Sequence, residues 1–84
     1  MSDLSEKTDL VLYSRAGCHL CDDMLDDLEQ ALRGTSLTLS VVDIDTSDEL
    51  VARYGERVPV LHDGEAELCA VRLDPDVAAA LAGR

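Results

Sequence analysis

Residues 10–25, LVLYSRAGCHLCDDML, run from an apolar segment through a short turn to two cysteines that are separated by two residues. The apolar segment belongs to residues 8–14, whose composition predicts a strand covered on both faces, as in a parallel sheet. From His19 onward apolar side chains recur four positions apart, as in an amphipathic helix, and Gly34 is expected to end that helix. The sequence therefore places both cysteines where a strand has ended and the first helix begins.

The next segment predicts a second strand and a second helix. Residues 36–45, SLTLSVVDID, alternate apolar and polar side chains, which indicates a strand. A strand, a helix and a second strand imply a right-handed crossover. Residues 46–55 then begin with Thr46 and Glu49 at the spacing of a capping box, so a short helix is expected there, ending at Gly55.

The last third of the chain predicts a hairpin and a terminal helix. Asp63 and Gly64 lie between two apolar runs, which is the strongest local signal for a tight antiparallel hairpin. Asp74 is expected to cap a last helix in which Pro75 is the first residue and which runs to Gly83. The resulting order is strand-helix-strand-helix-strand-strand-helix, an α/β fold with a four-stranded mixed sheet and helices on both faces.

Length and charge restrict the function. Eighty-four residues allow a single domain, residues 1–84, with a small core. Eighteen acidic residues against seven basic ones give a formal net charge of -11, which repels phosphate backbones and anionic lipids. No apolar run approaches a membrane span, and the start, MSDLSEKTDL, is unlike a secretion signal. The expectation is a cytoplasmic protein without nucleic-acid or membrane partners.

The two neighbouring cysteines are candidate redox thiols. The chain has three cysteines, and an odd, small number favours catalytic or metal-binding thiols over a secreted disulfide scaffold. At a helix N-terminus, unpaired N–H groups favour a thiolate and lower a thiol pKa from about 8.5 to roughly 3.5–7.5. Cys18, nearer the turn, is expected to be the more exposed and more acidic nucleophile. Cys21, one turn further in, would then resolve the mixed disulfide.

Three parts of the sequence together resemble a glutaredoxin-like protein of the thioredoxin superfamily. They are YSRAGCHLC at residues 13–21, ERVPVL at residues 56–61 and the Asp-Gly hairpin turn. The resemblance covers nearly the whole chain and implies a thioredoxin-like fold. It also implies a cis peptide bond between Val58 and Pro59 that faces the cysteine pair, with substrate docked on the backbone of Val58. Arg15 matches the basic residue that grips a glutathione carboxylate.

The chain also departs from the family pattern. His19 and Leu20 separate the cysteines, where glutaredoxins usually have Pro-Tyr, and the tryptophan that precedes the thioredoxin motif is absent. Residues 69–76, CAVRLDPD, stand where glutaredoxins place a Gly-Gly turn and an acidic residue that holds the glutathione amine. We therefore expect no bound cofactor, with glutathione as a candidate co-substrate.

Less specific interpretations remain open for several side chains. The cysteine pair could be retained thiols without activity, or part of a metal site. Cys18, His19 and Cys21 with the distant Cys69 have poor spacing for zinc, so no metal is expected. Cys69 is interpreted as a small buried apolar residue, with a regulatory thiol as the alternative. We further expect Tyr13 to pack beneath the site, Tyr54 to lie in the core, and His19 and His62 to face solvent.

Two functions follow from these observations. The first is a thiol-disulfide oxidoreductase that acts as a monomer on a disulfide-containing protein or a low-molecular-weight thiol. His19 and Arg15 would favour the thiolate and four nearby aspartates would oppose it, so a reductant or exchange role is expected rather than a strong oxidant. The alternative is a thioredoxin-fold adaptor without turnover that uses the same groove to hold a peptide or subunit.

Overall fold

The computed structural model describes residues 9–83 and has the predicted order of strands and helices. The expectations for residue 8 and for the polar N-terminal segment lie outside the described residues. The elements are β1 (Asp9–Ser14), α1 (His19–Ala31), β2 (Thr38–Asp43), a 3-10 turn (Ile44–Thr46), α2 (Asp48–Tyr54), β3 (Val60–Asp63), β4 (Ala66–Ala70) and α3 (Pro75–Ala82).

The four strands form one mixed sheet in the order β2-β1-β3-β4. β1 is parallel to β2, as expected for a strand-helix-strand unit, whereas β3 is antiparallel to both β1 and β4. The β3–β4 hairpin turns at Asp63 and Gly64 as predicted, and Gly64 has a positive φ of 62°. A glycine adopts this conformation without a steric penalty, which explains why the turn forms here.

Alternate side chains of β1 face two different layers of helix, because successive residues of a strand point to opposite faces. Leu10 and Leu12 pack on one face in a fully buried cluster with residues of α1, β3 and α3. Tyr13 points to the other face, where α2 and the 3-10 turn contribute Tyr54 and Ile44. The prediction of helices on both faces of a four-stranded sheet, and hence of a thioredoxin-like fold, is confirmed.

Two predicted helix boundaries were wrong by one to three residues. Helix α1 ends at Ala31 with Leu32 as its C-cap, and Gly34, at φ 79°, lies in the turn that follows. Helix α2 is capped by Ser47, whose Oγ accepts a hydrogen bond from the Leu50 N–H at 3.3 Å. The predicted cap, Thr46, lies in the 3-10 turn, which delays the start of the helix.

Two further predictions concern the terminal helix and the second strand. Asp74 caps α3 by accepting a hydrogen bond from the Asp76 N–H at 2.8 Å, and Pro75 is the first helical residue, as predicted. Strand β2 is shorter than residues 36–45, since Ile44 leaves the sheet and turns into the core. Among residues 9–83, none of the helices combines the length and apolarity that a membrane crossing requires.

Candidate functional site: the dithiol at the edge of the sheet

The register of the strands brings three chain segments to one edge of the sheet. Ser14, the last residue of β1, pairs with Asp43 of β2, and Tyr13 pairs with Val60, the first residue of β3. The loop that follows β1, the turn that follows β2 and the residues that precede β3 therefore meet at this edge. The predicted site residues come from the first and third of these segments.

Cys18 is the N-cap of α1. Its backbone is extended, and its Sγ accepts a hydrogen bond from the Cys21 N–H at 3.1 Å. Gly17 precedes it with a positive φ of 76°, which allows the sharp turn from the loop into the helix. The cap position thus directs one of the unpaired N–H groups of the helix start to the sulfur of Cys18.

Cys18 and Cys21 are joined by a disulfide. Their Cα atoms are 5.2 Å apart, within the range that disulfides require. Cys21 is only 3% exposed, because it lies on the face of α1 that packs on the sheet. Cys18 is half-buried. This is the order of exposure that the sequence predicts, with an outer and an inner sulfur.

Val58 and Pro59 lie just before β3 and are joined by a cis peptide bond. Pro59 is fully buried, and its carbonyl accepts a hydrogen bond from the Val71 N–H at 2.8 Å. The Val58 N–H donates to the Tyr54 carbonyl at 3.1 Å. The proline segment is therefore fixed on one side by α2 and on the other by the residue that follows β4.

Arg15 is held by an ion pair that the sequence did not indicate. Its guanidinium donates to both carboxylate oxygens of Asp45, at 2.6 and 3.3 Å, and to the Gly55 carbonyl at 3.3 Å. Hydrogen bonding to Asp45 raises the pKa of Arg15, and the same contact lowers the pKa of Asp45. Arg15 directly follows β1, and Asp45 lies two residues after the end of β2. Because Ser14 and Asp43, the last residues of these strands, are paired, the parallel pairing of β1 with β2 is what would have indicated the ion pair.

Aromatic side chains lie beneath this edge of the sheet. Tyr13 stacks on Tyr54 with ring centroids 4.5 Å apart. Tyr54 is buried in the core as predicted, and Tyr13 packs against it at the end of β1, partly buried. His62 is half-buried and meets both rings edge-on, and its Nε2 lies 3.3 Å from the Tyr54 hydroxyl. The prediction that His62 faces solvent was wrong, because β3 points it to the same face as Tyr13. His19 is exposed, as predicted.

Cys69 is separate from the dithiol pair. It lies in β4 opposite Leu61, is half-buried and packs against the larger core cluster. Burial raises the pKa of its thiol. In the part of the chain that the structure describes, no three His, Cys, Asp or Glu side chains converge in a way that could hold a metal ion.

Comparison with known proteins identifies relatives over nearly the whole chain. A family model described as a glutaredoxin-like domain (DUF836) matches residues 9–81. The solution structure of protein Ne2328 from Nitrosomonas europaea is 40% identical, covers 95% of this chain and 96% of that chain, and has a TM-score of 0.76. The X-ray structure of protein XcR50 from X. campestris is also 40% identical, covers 84% of this chain and 91% of that chain, and has a TM-score of 0.70.

A more distant solved structure, a malarial protein, shares the fold at 16% identity and a TM-score of 0.59, with 89% of this chain and 92% of that chain covered. A comparison with curated proteins found no match. The family match spans β1 to α3 and includes the disulfide at the start of α1. On this ground the chain belongs to the glutaredoxin-like (DUF836) domain family of the thioredoxin superfamily.

Proposed function

We propose that this chain is a thiol-disulfide oxidoreductase in which Cys18 is the nucleophile and Cys21 the resolving thiol. The observation that carries the proposal is the pairing of a half-exposed sulfur at the cap of α1 with a buried sulfur that can bond to it. An outer thiol that meets substrate and an inner thiol that does not are the two components of dithiol exchange.

Catalysis starts from the reduced pair. The Cys18 thiolate attacks one sulfur of a substrate disulfide, that S–S bond breaks, and the released thiolate takes a proton from solvent. The Cys21 thiol then loses its proton and attacks Cys18 Sγ, which releases the second substrate thiol. Two electrons pass from the dithiol to the substrate, and the Cys18–Cys21 disulfide is the product.

The cap geometry supports the first step. The thiolate, rather than the thiol, is the nucleophile. The Cys21 N–H that donates to Cys18 Sγ favours the charged sulfur, as does the positive end of α1. Four aspartates at positions 22, 23, 26 and 27 oppose it, although all four are exposed to solvent. This balance supports a reductant or exchange role rather than that of a strong oxidant.

The segment before β3 would form the floor of the substrate groove. Pro59 is buried at the same edge of the sheet as the cysteines. Because the Val58 N–H is engaged by Tyr54, we assign the docking contact with substrate to the Val58 carbonyl. Asp45 and Gly55 engage three of the five N–H groups of the Arg15 guanidinium, which holds the loop before Cys18 and leaves two N–H groups for a substrate carboxylate.

The substrate class is a disulfide-containing protein or a low-molecular-weight disulfide. No bound cofactor is needed for exchange, but each turnover leaves the pair oxidised, so a thiol donor must return it to the dithiol. Glutathione in the cytoplasm is the candidate donor. The site lies within one chain, and we expect the protein to act as a monomer.

Single-turnover kinetics with a model disulfide test the assignment. Reduced protein is mixed with a peptide whose cysteine is bonded to thionitrobenzoate, and release of the coloured thiol is followed. We expect Cys18→Ser to abolish release, and Cys21→Ser to give one release and a stable mixed disulfide at Cys18. Cys69→Ser is the matched control and should react like wild type. Undiminished release by Cys18→Ser would defeat the assignment.

A second function, a peptide-holding adaptor without turnover, is favoured by the His19-Leu20 dipeptide between the cysteines. Titration of the pair against a glutathione redox buffer separates the two functions. A pair that stays reduced across the cytosolic range supports the adaptor, whereas a measurable midpoint within that range supports the oxidoreductase.

A further inference from the structure

A groove of about 320 Å³ lies between α1 and the segment that follows β4. We call it the α1 groove. It is lined by Leu20, Asp23, Met24 and Asp27 of α1 and by Val71, Arg72 and Leu73 after β4. The α1 members are spaced three, four and seven residues apart and so share one face of the helix. Leu20 lies between the two cysteines in the sequence, so one end of the groove is formed by the residue that directly precedes Cys21.

The rim of the groove nearest the cysteines is apolar and exposed. Leu20 and Val71 are 44% and 39% exposed, and they are two of the few large apolar side chains in that state within residues 9–83. Val71 also has a positive φ of 75°, which is an outlier for a β-branched residue. The Val71 N–H donates a hydrogen bond to the Pro59 carbonyl, so this strained backbone lies next to the segment before β3 that would contact substrate.

The charges in the groove favour a basic ligand. Helix α1 carries five acidic residues and no lysine or arginine. Two of the five, Asp23 and Asp27, line the groove opposite a single cation, Arg72, and no ion pair joins the three within the described residues. Arg15, the other cation near the cysteines, is already bound by Asp45.

The length of the groove suits a short extended peptide. Asp27 is seven positions after Leu20 along the helix, a rise of about 10 Å. An extended chain covers that distance in about three residues. An apolar side chain next to the substrate cysteine would therefore reach Leu20 and Val71, while a side chain three positions from the cysteine would reach Asp27.

We propose that the α1 groove selects disulfide-containing protein segments with an apolar residue beside the cysteine and a lysine or arginine about three positions away. The inference rests on the proposed exchange reaction and adds its substrate class. The segment binds as an extended strand, its apolar residue covers the exposed rim, and its cation pairs with the two groove carboxylates. Glutathione, which is anionic and lacks an apolar neighbour of this size, is the poorer substrate.

Matched peptides test the selection. Each nine-residue peptide has a central cysteine bonded to thionitrobenzoate, leucine on both sides, and either lysine or glutamate three positions away on both sides. Rate constants for release by reduced protein are measured by stopped flow. We expect the lysine peptide to react about tenfold faster than the glutamate peptide at low salt, and this ratio to shrink at high salt. Serine in place of leucine should slow the lysine peptide about tenfold.

Charge variants locate the effect. Asp23→Asn and Asp27→Asn should each lower the lysine-to-glutamate ratio about two- to fivefold, and Arg72→Gln should raise it by a similar factor. Glu65→Gln changes charge equally in the hairpin turn at the opposite edge of the sheet, and should leave the ratio unchanged. All four side chains are exposed, and circular dichroism checks that each variant is folded.

The outcomes separate this inference from the function on which it rests. If wild type prefers the glutamate peptide or the thionitrobenzoate disulfide of glutathione, or if the groove variants behave like Glu65→Gln, the α1 groove does not select substrate, although Cys18 still exchanges disulfides. If Cys18 releases the coloured thiol from no peptide and not from glutathione, the proposed exchange function fails as well.

Discussion

The three thiols of the reduced chain differ in their surroundings, and this predicts their order of reactivity. Cys18 is half-exposed, and its Sγ accepts a hydrogen bond from the Cys21 N–H. Cys21 is buried, and burial raises the pKa of Cys69. A raised pKa means that a smaller fraction of Cys69 is thiolate at any given pH. Alkylation of reduced protein by iodoacetamide at neutral pH should therefore modify Cys18 first, as measured by mass spectrometry of quenched samples.

The pH dependence of the same alkylation reaction tests whether the pKa of Cys69 is raised rather than lowered. The rate at Cys69 should keep rising well into the alkaline range, because burial raises the pKa of its thiol. Cys18→Ser should leave the Cys69 profile as it is in wild type. Faster alkylation of Cys69 than of Cys18 at neutral pH would contradict the assignment of the nucleophile.

A single residue, Val71, is held in an unfavourable backbone conformation. The left-handed region costs a residue with a side chain roughly 1–2 kcal/mol, whereas glycine adopts it freely. Val71→Gly should therefore raise the free energy of unfolding by up to about 1 kcal/mol, with part of the gain lost to the greater freedom of the unfolded chain. Urea denaturation of the reduced proteins measures the change.

The matched control is the same substitution on an extended strand. Val41 of β2 is also exposed, and Val41→Gly should lower stability by roughly 0.5–1 kcal/mol. Equal losses for the two variants would show that Val71 carries no strain. If the α1 groove selects substrate, Val71→Gly should also slow the lysine peptide while it stabilises the fold.

At the scale of elements, the start of α2 tests which residue caps a helix. Ser47 accepts the Leu50 N–H, whereas Thr46 Oγ1 donates to the Asp43 carbonyl. Ser47→Ala should cost about 1 kcal/mol of unfolding free energy, the usual loss for an N-cap. Ser36→Ala, at an exposed position outside any helix or strand, should change stability little. Urea midpoints that do not differ between these two variants would rule out the cap.

The elements themselves were predictable from the sequence because periodicity records burial. Leu10 and Leu12 alternate with Tyr13 between two faces, and Met24 and Leu28 recur on the inner face of α1. Because side chains on the buried face of a strand or helix are apolar, their regular spacing is visible in the sequence without knowledge of what they pack against. The position of the cysteine pair at the start of α1 followed from the same pattern.

The boundaries and pairings of elements were less predictable because they depend on residues distant in sequence. Ser47 rather than Thr46 caps α2 because a 3-10 turn intervenes, although the capping-box spacing of Thr46 and Glu49 favours Thr46 in the local sequence. Arg15 meets Asp45 only because β1 and β2 pair in a particular register. Valine favours extended strands, yet Val71 has a left-handed backbone conformation and its N–H donates to the Pro59 carbonyl, twelve residues earlier in the chain.

For the whole molecule, the sheet leaves one edge at which loops from different elements can meet. Two layers of helix cover its faces and bury Leu10, Leu12 and Leu61 of the central strands, whereas Arg15 and Cys18 at this edge are only partly buried. Ion pairs join separate segments of residues 9–83, such as Arg15 with Asp45 near the cysteines and Arg57 with Glu67 of β4. Most of the remaining charged side chains are acidic and exposed, and they repel one another across the folded chain.

This excess charge predicts how stability responds to salt. A net charge of -11 on a chain of 84 residues repels itself more strongly when the chain is compact than when it is unfolded. Between about 0.01 and 0.1 M NaCl the Debye length falls from about 30 to about 10 Å, which screens this repulsion. The free energy of unfolding, from urea denaturation at neutral pH, should therefore rise by roughly 1 kcal/mol, the size of one or two exposed charge interactions.

A variant with three fewer negative charges separates self-repulsion from other salt effects. Asp26→Asn, Glu56→Gln and Glu65→Gln together remove three of the eleven excess negative charges from exposed positions. The triple variant should be more stable than wild type at low salt and should gain less as NaCl is added. Stability that falls with NaCl in both proteins would instead mean that screening of favourable ion pairs, such as Arg15 with Asp45, outweighs screening of the self-repulsion.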